Sequence, residues 1–347
     1  MAKTIKMADI AGRLGVSVVT VSKALSGQKG VSDEMREKIK KVADELGYVR
    51  TVQEKSEKMQ KSYTLGIIVA ERFLADNQSF YWSLYQEVSR NAVRKSCFTL
   101  LEVIGYKDEE ECAMPKVLSE NKADGLVIMG SFGRKYVNYL KTVSKKPLVS
   151  LDSFDVEGEM DSVVSNNMVG AYTVTNYLFE MGHRKIGFVG TRLATASIDD
   201  RYFGYLKSLM EHGIELNPEW VLEDRERKTG KVDYEEYFTL PKENMPTAFF
   251  CNCDLSANLM VRKLREAGYK VPEDISVAGF DHFRDMQMPE IGITTYEINV
   301  KRMARRAVHI LTRKIENPEY YSGMCVIAGK FIPQESVGQI GFPVPFV

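Results

Sequence analysis

The sequence predicts an α/β protein in which a three-helix helix-turn-helix headpiece precedes a two-lobed core of doubly wound parallel sheets. The first 48 residues show helical spacing of apolar side chains. From Thr64 onwards, apolar strand-like runs alternate with amphipathic stretches of helical length, as in βαβ units. A chain of 347 residues is also long enough for two or three domains.

Residues 1–48 are predicted to form three short helices. Thr4 can cap the first helix and Gly15 can end it. Ser17 can cap the second helix, Val18–Leu25, and Ser32 can open the third. Helices this short that share one small core are typical of a helix-turn-helix unit.

The second helix of such a unit enters the major groove of DNA with its first residues against the base edges. Val18 and Val19 stand at that end, where apolar side chains suit thymine methyl groups. Hydroxyl groups nearby can contact phosphates. A small helical bundle that binds nothing is the alternative. The predicted DNA-binding residues are Ser17, Val18, Val19, Thr20, Ser22, Lys23 and Ser32.

Residues 49–62 are polar and charged, contain no Gly or Pro, and are predicted to be a hinge able to become helical. The core after them contains seven apolar runs that favour buried parallel strands, more than one comfortable sheet holds, so two lobes are expected. These runs are Leu65–Ala70, Phe98–Ile104, Leu126–Met129, Pro147–Leu151, Ile186–Val189, Ala248–Cys251 and Ile275–Ala278.

Charge is distributed unevenly along the chain. Residues 1–61 contain 13 Lys or Arg against 8 Asp or Glu, whereas residues 62–347 contain 34 against 39. A basic end on an acidic remainder suggests that only the first part meets phosphates. Five cysteines, an odd number, favour reduced thiols, and no export signal or membrane-spanning run is visible, so we expect a cytoplasmic protein.

An enzyme is the competing class, and the sequence argues against it. The phosphate-binding patterns GxGxxG and GxxxxGK[ST] are absent. Cys251 and Cys253 form a lone pair without a second pair nearby, so we expect no metal site. No ordered catalytic triad stands out, and we expect neither catalytic residues nor a cofactor. A free sugar-binding protein would need an export signal and no headpiece.

Several ordered motifs resemble the lactose-repressor (LacI) family of bacterial transcriptional regulators. They are GVS–TVS–AL and the closing ELGY in the headpiece, then MGHRKIGFVG, DRYFGY, VPEDISVAGFD and ITTYE in the core. The resemblance covers roughly residues 3–335. It places Val18, Val19 and Lys23 at base-reading positions, and Lys23 stands where many relatives carry Arg.

The resemblance implies a core similar to periplasmic sugar-binding proteins, with a ligand between two lobes joined by three crossovers. The first lobe would comprise residues 63–163 and 295–322, and the second would comprise residues 164–294 and 323–347. It further implies a homodimeric repressor whose affinity for a near-palindromic operator is controlled by the ligand.

Polar residues that follow the predicted strands are the candidate effector contacts, because ligands bind beyond the carboxyl ends of such strands. Arg201 and Asp281 match the family's ligand-contacting arginine and acid, Asp152 follows PLVSL, and Phe80 and Tyr81 follow the first strand. Such a set suits a sugar. A purine or a sugar phosphate is the alternative ligand. Salt-bridge, capping and packing roles are the structural alternatives for these residues.

Two segments depart from the family pattern. Cys253 replaces the usual amide, and Asn252 could substitute for it from one residue earlier. In the hinge, Glu57 occupies the position where relatives insert a leucine into the minor groove, which is narrow and negative. Met59 could serve as the wedge instead, with Lys55 on phosphate. A hinge without a wedge is the alternative.

Overall fold

The computed structural model describes residues 5–25, 27–46, 48, 62–74, 80–234, 236–283 and 291–340. The chain divides into two compact units, Met1–Lys61 and Ser62–Val347. In the first unit the helices are α1 (Met7–Leu14), α2 (Val18–Leu25) and α3 (Asp33–Glu45). Their apolar faces share one core, which buries Ile10, Ala11, Val21, Ala24, Ile39 and Ala43. The three predicted helices are confirmed.

Helix α1 begins later than predicted. Its N-cap position is Lys6, whose backbone N–H donates to Asp9 Oδ2 over 2.7 Å. The prediction that Thr4 caps this helix is therefore wrong, since an N-cap must directly precede the first helical residue; Thr4 itself lies outside the described residues. Gly15 ends the helix at φ +64°, a left-handed conformation that glycine adopts without strain.

The second unit alternates strands and helices along its length. Its first half contains β1 (Thr64–Ala70), α4 (Phe80–Val93), β2 (Phe98–Ile104), α5 (Tyr106–Glu110), α6 (Lys116–Ser119), β3 (Gly125–Met129), α7 (Arg134–Val143), β4 (Leu148–Leu151) and β5 (Asp161–Ser165). Its second half contains α8 (Asn167–Glu180), β6 (Ile186–Val189), α9 (Ala196–Glu211), β7 (Val221–Leu222), β8 (Ala248–Cys251), α10 (Asp254–Glu266), β9 (Ser276–Ala278), β10 (Thr295–Glu297), α11 (Val300–Glu316), β11 (Met324–Ile327) and β12 (Lys330–Ile332).

Two parallel sheets define the two lobes of this unit. The first lobe has six strands in the order β11-β5-β4-β3-β1-β2, and the second has four in the order β7-β6-β8-β9. Strands β10 and β12 form a separate antiparallel pair. The strands β1, β3 and β4 are almost wholly buried, as their continuous apolar runs predicted.

The lobe boundaries differ from those predicted at two short strands. Strand β10 packs on α8 of the second lobe, whereas residues 295–322 were assigned to the first. Strand β11 pairs in parallel with β5 of the first lobe, whereas residues 323–347 were assigned to the second. Strands of three or four residues carry too little apolar pattern to show which sheet they join. Among the described helices, none has the length and apolar character needed to cross a membrane.

Candidate DNA-reading helix and effector site

Helix α2 presents a small apolar surface at its start. Val18 and Val19 are 46% and 63% exposed, while Val21 and Ala24 on the opposite face are buried in the headpiece core. Ser17 caps the helix by accepting the Thr20 N–H over 3.0 Å, and its hydroxyl lies 2.8 Å from the Thr20 hydroxyl. Ser22 and Lys23 are also exposed. The helix therefore has two exposed valines at its N-terminal end, and their contact with DNA bases stays a prediction.

Helix α3 is tied to the end of α2 by a residue that sequence reasoning missed. Arg36 donates to the main-chain oxygens of Ala24 over 3.0 Å and of Gln28 over 2.9 Å. Ala24 lies in the last turn of α2 and Gln28 lies three residues beyond the helix, so the guanidinium fastens the end of α2 and the segment after it to α3. Ser32 caps α3 through the Met35 N–H at 3.4 Å. The hinge residues Lys55, Glu57 and Met59 lie outside the described residues.

The first lobe contributes Tyr81 and Asp152 to the candidate effector site. The Tyr81 hydroxyl donates to Asp152 Oδ2 over 2.9 Å, and Phe80 packs edge-on against the Tyr81 ring. Asp152 follows β4 with φ +64° and is 5% exposed. Its second oxygen, Oδ1, is buried and has no hydrogen-bond partner among the described residues. A buried acceptor without a donor is costly, so this atom marks where a ligand donor would be stabilising.

The second lobe contributes Arg201, which lies on α9 and is 5% exposed. Its Nε donates to Asn167 Oδ1 over 3.0 Å and its Nη1 to the main-chain oxygen of Asn252 over 2.6 Å. Its guanidinium carbon lies 4.1 Å from the ring centroid of Phe280. The arginine is thus held in one orientation by the elements around it. Phe280 was missed, although it adjoins Asp281 in the GFD motif.

Asp281 follows β9 in a left-handed conformation, with φ +89°. Its Oδ1 accepts the Phe283 N–H over 3.0 Å, and its own N–H donates to the Tyr296 oxygen. Asp281 therefore caps the loop, as the structural alternative expected, and its binding role stays a prediction.

Asn252 departs from its predicted role. Its Nδ2 donates to the Val189 oxygen over 3.1 Å and to Asp224 Oδ2 over 2.6 Å, and the residue is 1% exposed. Because its amide is fully used inside the second lobe, Asn252 positions Arg201 through its carbonyl rather than facing a ligand. Asn252 lies one residue before the position of the usual amide, and neighbouring residues of an extended segment point their side chains in opposite directions. The sequence alone could not show which way the Asn252 side chain points.

Asp224 and Arg225 form a buried ion pair that sequence reasoning missed. Arg225 donates from Nε and Nη2 to the two Asp224 oxygens, over 3.0 and 2.6 Å. Burial raises the pKa of Asp224, but the charge and hydrogen bonds of Arg225 outweigh it and hold that pKa below its ordinary value. Arg225 also lies 3.6 Å from Cys253 Sγ. Neither residue belongs to a quoted motif, so only the fold reveals the pair.

Burial controls the charge of the two candidate carboxylates. It raises the pKa of Asp152 to about 6, although the charge of Arg201 and the Tyr81 hydrogen bond oppose the change. Burial likewise raises the pKa of Asp281 to about 6 against the charge of Arg201. Burial also raises the pKa of Asp254 well above its ordinary value, and the neighbouring Asp281 adds to the effect. Three buried carboxyl groups, those of Asp152, Asp254 and Asp281, are therefore influenced by the charge of Arg201.

A cavity of about 410 Å³ opens between the lobes at the carboxyl ends of β3, β4 and β6. None of the six predicted effector residues lines it, but Ser150 and Ser153, which flank Asp152, do. Its volume falls in the range of small-molecule sites. Within the described residues, no group of three or more His, Cys, Asp or Glu side chains could hold a metal ion.

Comparison with known families decides the identity. Residues 6–51 match the model described as bacterial regulatory proteins, lacI family, and residues 175–337 match the periplasmic binding protein-like domain. The chain therefore combines a lacI-family helix-turn-helix headpiece with a periplasmic-binding-protein-like core. Its headpiece is the DNA-binding domain of a transcriptional regulator, and its core is the ligand-binding domain, as the sequence predicted.

Full-length relatives support this assignment. The regulator is 27% identical to the ribose operon repressor of Haemophilus influenzae, across 95% of this chain and 98% of the relative. It is 28% identical to the HTH-type transcriptional repressor PurR of Aliivibrio salmonicida, across 96% and 98% of the two chains.

Solved structures share the fold of the regulator. The transcriptional regulator CelR–cellobiose complex aligns with a TM-score of 0.67 at 22% identity, over 96% of this chain and 99% of that one. The lac repressor dimer bound to operator and the anti-inducer ONPF aligns with a TM-score of 0.67 at 19% identity, over 97% and 100%.

Proposed function

We propose that this regulator is a cytoplasmic, homodimeric repressor whose affinity for its operator is controlled by a sugar bound between the lobes of its core. The main support is that each lobe contributes polar side chains to the candidate site. The first lobe contributes Tyr81 and Asp152, and the second lobe contributes Arg201 and Asp281. The charge of Arg201 opposes the effect of burial on the pKa of both carboxylates, one in each lobe, which favours a site built from both lobes. A ligand that bonds to both halves stabilises one arrangement of the lobes.

Hydroxyl-rich ligands suit this set best. Carboxylate oxygens accept from vicinal hydroxyls, a guanidinium donates to them, and an aromatic face packs on sugar C–H groups. Oδ1 of Asp152 has no donor among the described residues, so a hydroxyl group of a sugar can donate to it. The relatives named as repressors favour a regulator over the competing enzyme class.

A purine is the second candidate ligand. The Tyr81 ring lies 4.4 Å from the Phe73 ring at a tilt of 33° and is edge-on to Phe80, which gives the first lobe an aromatic wall. Such a wall can pack against a planar base. Several relatives carry the name PurR, which makes this alternative worth testing beside sugars.

The DNA half of the proposal rests on α2. Two headpieces of a homodimer would take the half-sites of a near-palindromic operator, with Val18 and Val19 against bases and Ser17, Thr20 and Ser32 near phosphates. Ser22 and Lys23 complete this surface. Because ligand and operator are bound by one molecule, each must change the affinity of the other by the same factor.

The hinge remains a proposal drawn from sequence. If Met59 inserts into the minor groove while Lys55 contacts a phosphate, the operator must be bent. Met59→Ala should then reduce the bend. A hinge without a wedge predicts nearly straight DNA and tighter binding by Glu57→Leu, since the minor groove repels a carboxylate. Energy transfer between dyes at the operator ends distinguishes the two. A strong bend that Met59→Ala leaves unchanged would contradict both.

The decisive experiment has two parts. Selection from random duplexes should enrich a symmetric site, and no such enrichment would refute the repressor proposal. Thermal shifts of the full chain should then rise with one member of a panel of sugars, sugar phosphates and nucleobases, because a ligand of the folded state raises the melting temperature. That ligand must also change the affinity for the selected site. Asp152→Asn is expected to abolish the shift, and the surface variant Lys231→Gln serves as the control.

A further inference from the structure

The cavity beside the predicted effector residues is lined by hydroxyl groups and cations from both lobes. The first lobe supplies Ser131, Arg134 and Ser153, and the second lobe supplies Thr195, Arg227 and Lys228, among other lining residues. The buried Oγ of Ser131 has no hydrogen-bond partner among the described residues. The cavity therefore combines cations with an unused hydroxyl, although carboxylates also line it.

The carboxylates that the first lobe contributes to the cavity already have hydrogen-bond donors. Glu109 accepts from Arg72 and from the Gly133 N–H, at 2.6 Å each. Asp155 accepts from Lys141 over 3.0 Å and from two backbone N–H groups. Glu157 accepts from Arg134 and from Lys141. The acids on this wall are thus neutralised by cations and donors of the same lobe.

The cations of the opposite wall are much less engaged. Arg227 has one carboxylate neighbour, Glu223, at 3.6 Å, and both side chains are about half exposed. Lys228 has no carboxylate partner within the part of the chain that the structure describes. An anion between the lobes would therefore meet two available cations without displacing a strong ion pair.

These two cations belong to a hairpin that crosses to the first lobe. Residues 225–232, here called the basic hairpin, close through a bridge between Arg225 and Val232. At its tip Gly230 has φ +68°, and a Cβ built there would lie 3.3 Å from Cδ of Arg72 in the first lobe. Arg225 at the base is buried in its pair with Asp224. The basic hairpin thus holds Arg227 and Lys228 over the cavity from a fixed base.

Helix α9 contributes both a partial positive charge and a carboxylate to the cavity, since Asp199 lies in its first turn and accepts the Leu193 N–H over 2.8 Å. Its N-cap Thr195 and its first residue Ala196 both line the cavity. The N–H groups of a first helical turn lack helical partners and carry a partial positive charge. Arg201, two turns into the same helix, belongs to the predicted effector set, so cavity and effector site adjoin.

We propose that the effector is a phosphorylated sugar, whose hydroxyls bind Asp152, Arg201 and Asp281 while its phosphate occupies the cavity against Arg227, Lys228 and the start of α9. This rests on the proposed function and names the ligand class of that site. The effector site would then have an acceptor-rich end for hydroxyls and a cationic end for the anion.

The test compares the full-length protein with Arg227→Gln/Lys228→Gln by calorimetric titration of inorganic phosphate. Lys231→Gln is the matched control, because Lys231 lies in the same hairpin but not among the cavity residues. Phosphate should bind the parent and the control alike, more weakly at high salt. It should bind the double variant about tenfold more weakly. Phosphate binding that is absent, or equal in all three proteins, overturns the proposal.

A second arm identifies the source of the anion. Each sugar of a panel is titrated beside its phosphate ester and its sugar acid. The proposal requires one ester to bind more tightly than both its parent sugar and inorganic phosphate, since linkage joins two weak contacts. A neutral sugar that binds as tightly as its ester, or a sugar acid that binds more tightly, overturns it.

Operator affinity separates this proposal from the proposed function. If an ester binds through Arg227 and Lys228 but never alters operator affinity, the proposed function fails and the phosphate site stands. If a neutral sugar alters operator affinity equally in the parent and the double variant, the proposed function stands and the phosphate site fails.

Discussion

Replacing Asp152 with Asn removes a buried charge from the effector site while keeping the shape of the side chain. Asp152 is buried, its Oδ2 accepts from Tyr81 over 2.9 Å, and its Oδ1 has no partner among the described residues. An Asn can still accept from Tyr81 through its single oxygen. The substitution therefore isolates the effect of ionisation on the free energy of unfolding.

The magnitude follows from the change in pKa. Burial raises the pKa of Asp152 from 3.8 to about 6 in the folded protein. The folded state thus binds the proton more tightly, and the stabilisation it gains is present below about pH 4 and is lost as pH rises through about 6. The full effect is about 3 kcal/mol, of which about 2 kcal/mol is lost between pH 4.5 and pH 8. The amide of the Asp152→Asn variant cannot ionise, so the variant should lack this loss.

Urea unfolding followed by tryptophan fluorescence measures the difference. The chain has two tryptophans, Trp82 and Trp220. Both belong to the second compact unit, Ser62–Val347, so the fluorescence reports the unfolding of that unit within the full-length protein. Any pH-independent cost of burying the new amide cancels when the difference between parent and variant is compared at the two pH values. The variant should gain about 2 kcal/mol on the parent from pH 4.5 to pH 8. A constant difference, or a gain of opposite sign, would refute the reasoning.

Three further outcomes are expected. Replacing Val19 with Ser should change the preferred base within the half-site, whereas Ser32→Ala should weaken all sequences alike; selection from random duplexes checks both. Arg36→Ala should destabilise the headpiece by about 2 kcal/mol, because it removes the hydrogen bonds of the guanidinium to the main-chain oxygens of Ala24 and Gln28. Thermal melting followed by circular dichroism in the full chain checks this against the exposed Lys41→Ala variant, and equal losses in the two variants would contradict it. Arg201→Ala should abolish the ligand response and preserve operator affinity, and a normal response at unchanged ligand concentration would move the site elsewhere.

The fold was predictable wherever one apolar period ran through a whole element. Strand Ile186–Val189 was predicted at the observed bounds, because buried parallel strands are continuously apolar. Strand Phe98–Ile104 was also predicted at the observed bounds, although it lies at the edge of its sheet and only Ile104 is buried. Strand Asp161–Ser165 was missed because its sequence, DSVVS, contains polar residues at both ends, although all five are buried. Its Asp161 is neutralised by Lys314, which is 153 positions away. Partners so distant in sequence leave no local signal.

The candidate site shows the same division between local and distant information. Arg201, Asp152 and Asp281 were identified because each follows a strand or lies in a motif, which are local features. The pair of Asp224 and Arg225 was missed, since its supports at Asn252 and Cys253 lie 27 and 28 positions beyond Arg225. The direction of the Asn252 amide also depends on Asp224, which the sequence does not connect to it.

The unpaired oxygen of Asp152 explains why the site can act as a switch. A protein selected for stability alone would pair or replace a buried carboxylate whose pKa is raised by burial. The buried Oδ1 of Asp152 has no donor among the described residues, and a ligand that donates to it would offset this cost. Tyr81 and Asp152 belong to one lobe, and Arg201 and Asp281 belong to the other. A ligand that bonds to all four residues therefore stabilises only an arrangement in which both lobes contact it. The ligand's differential affinity for that arrangement is what can alter the binding of DNA.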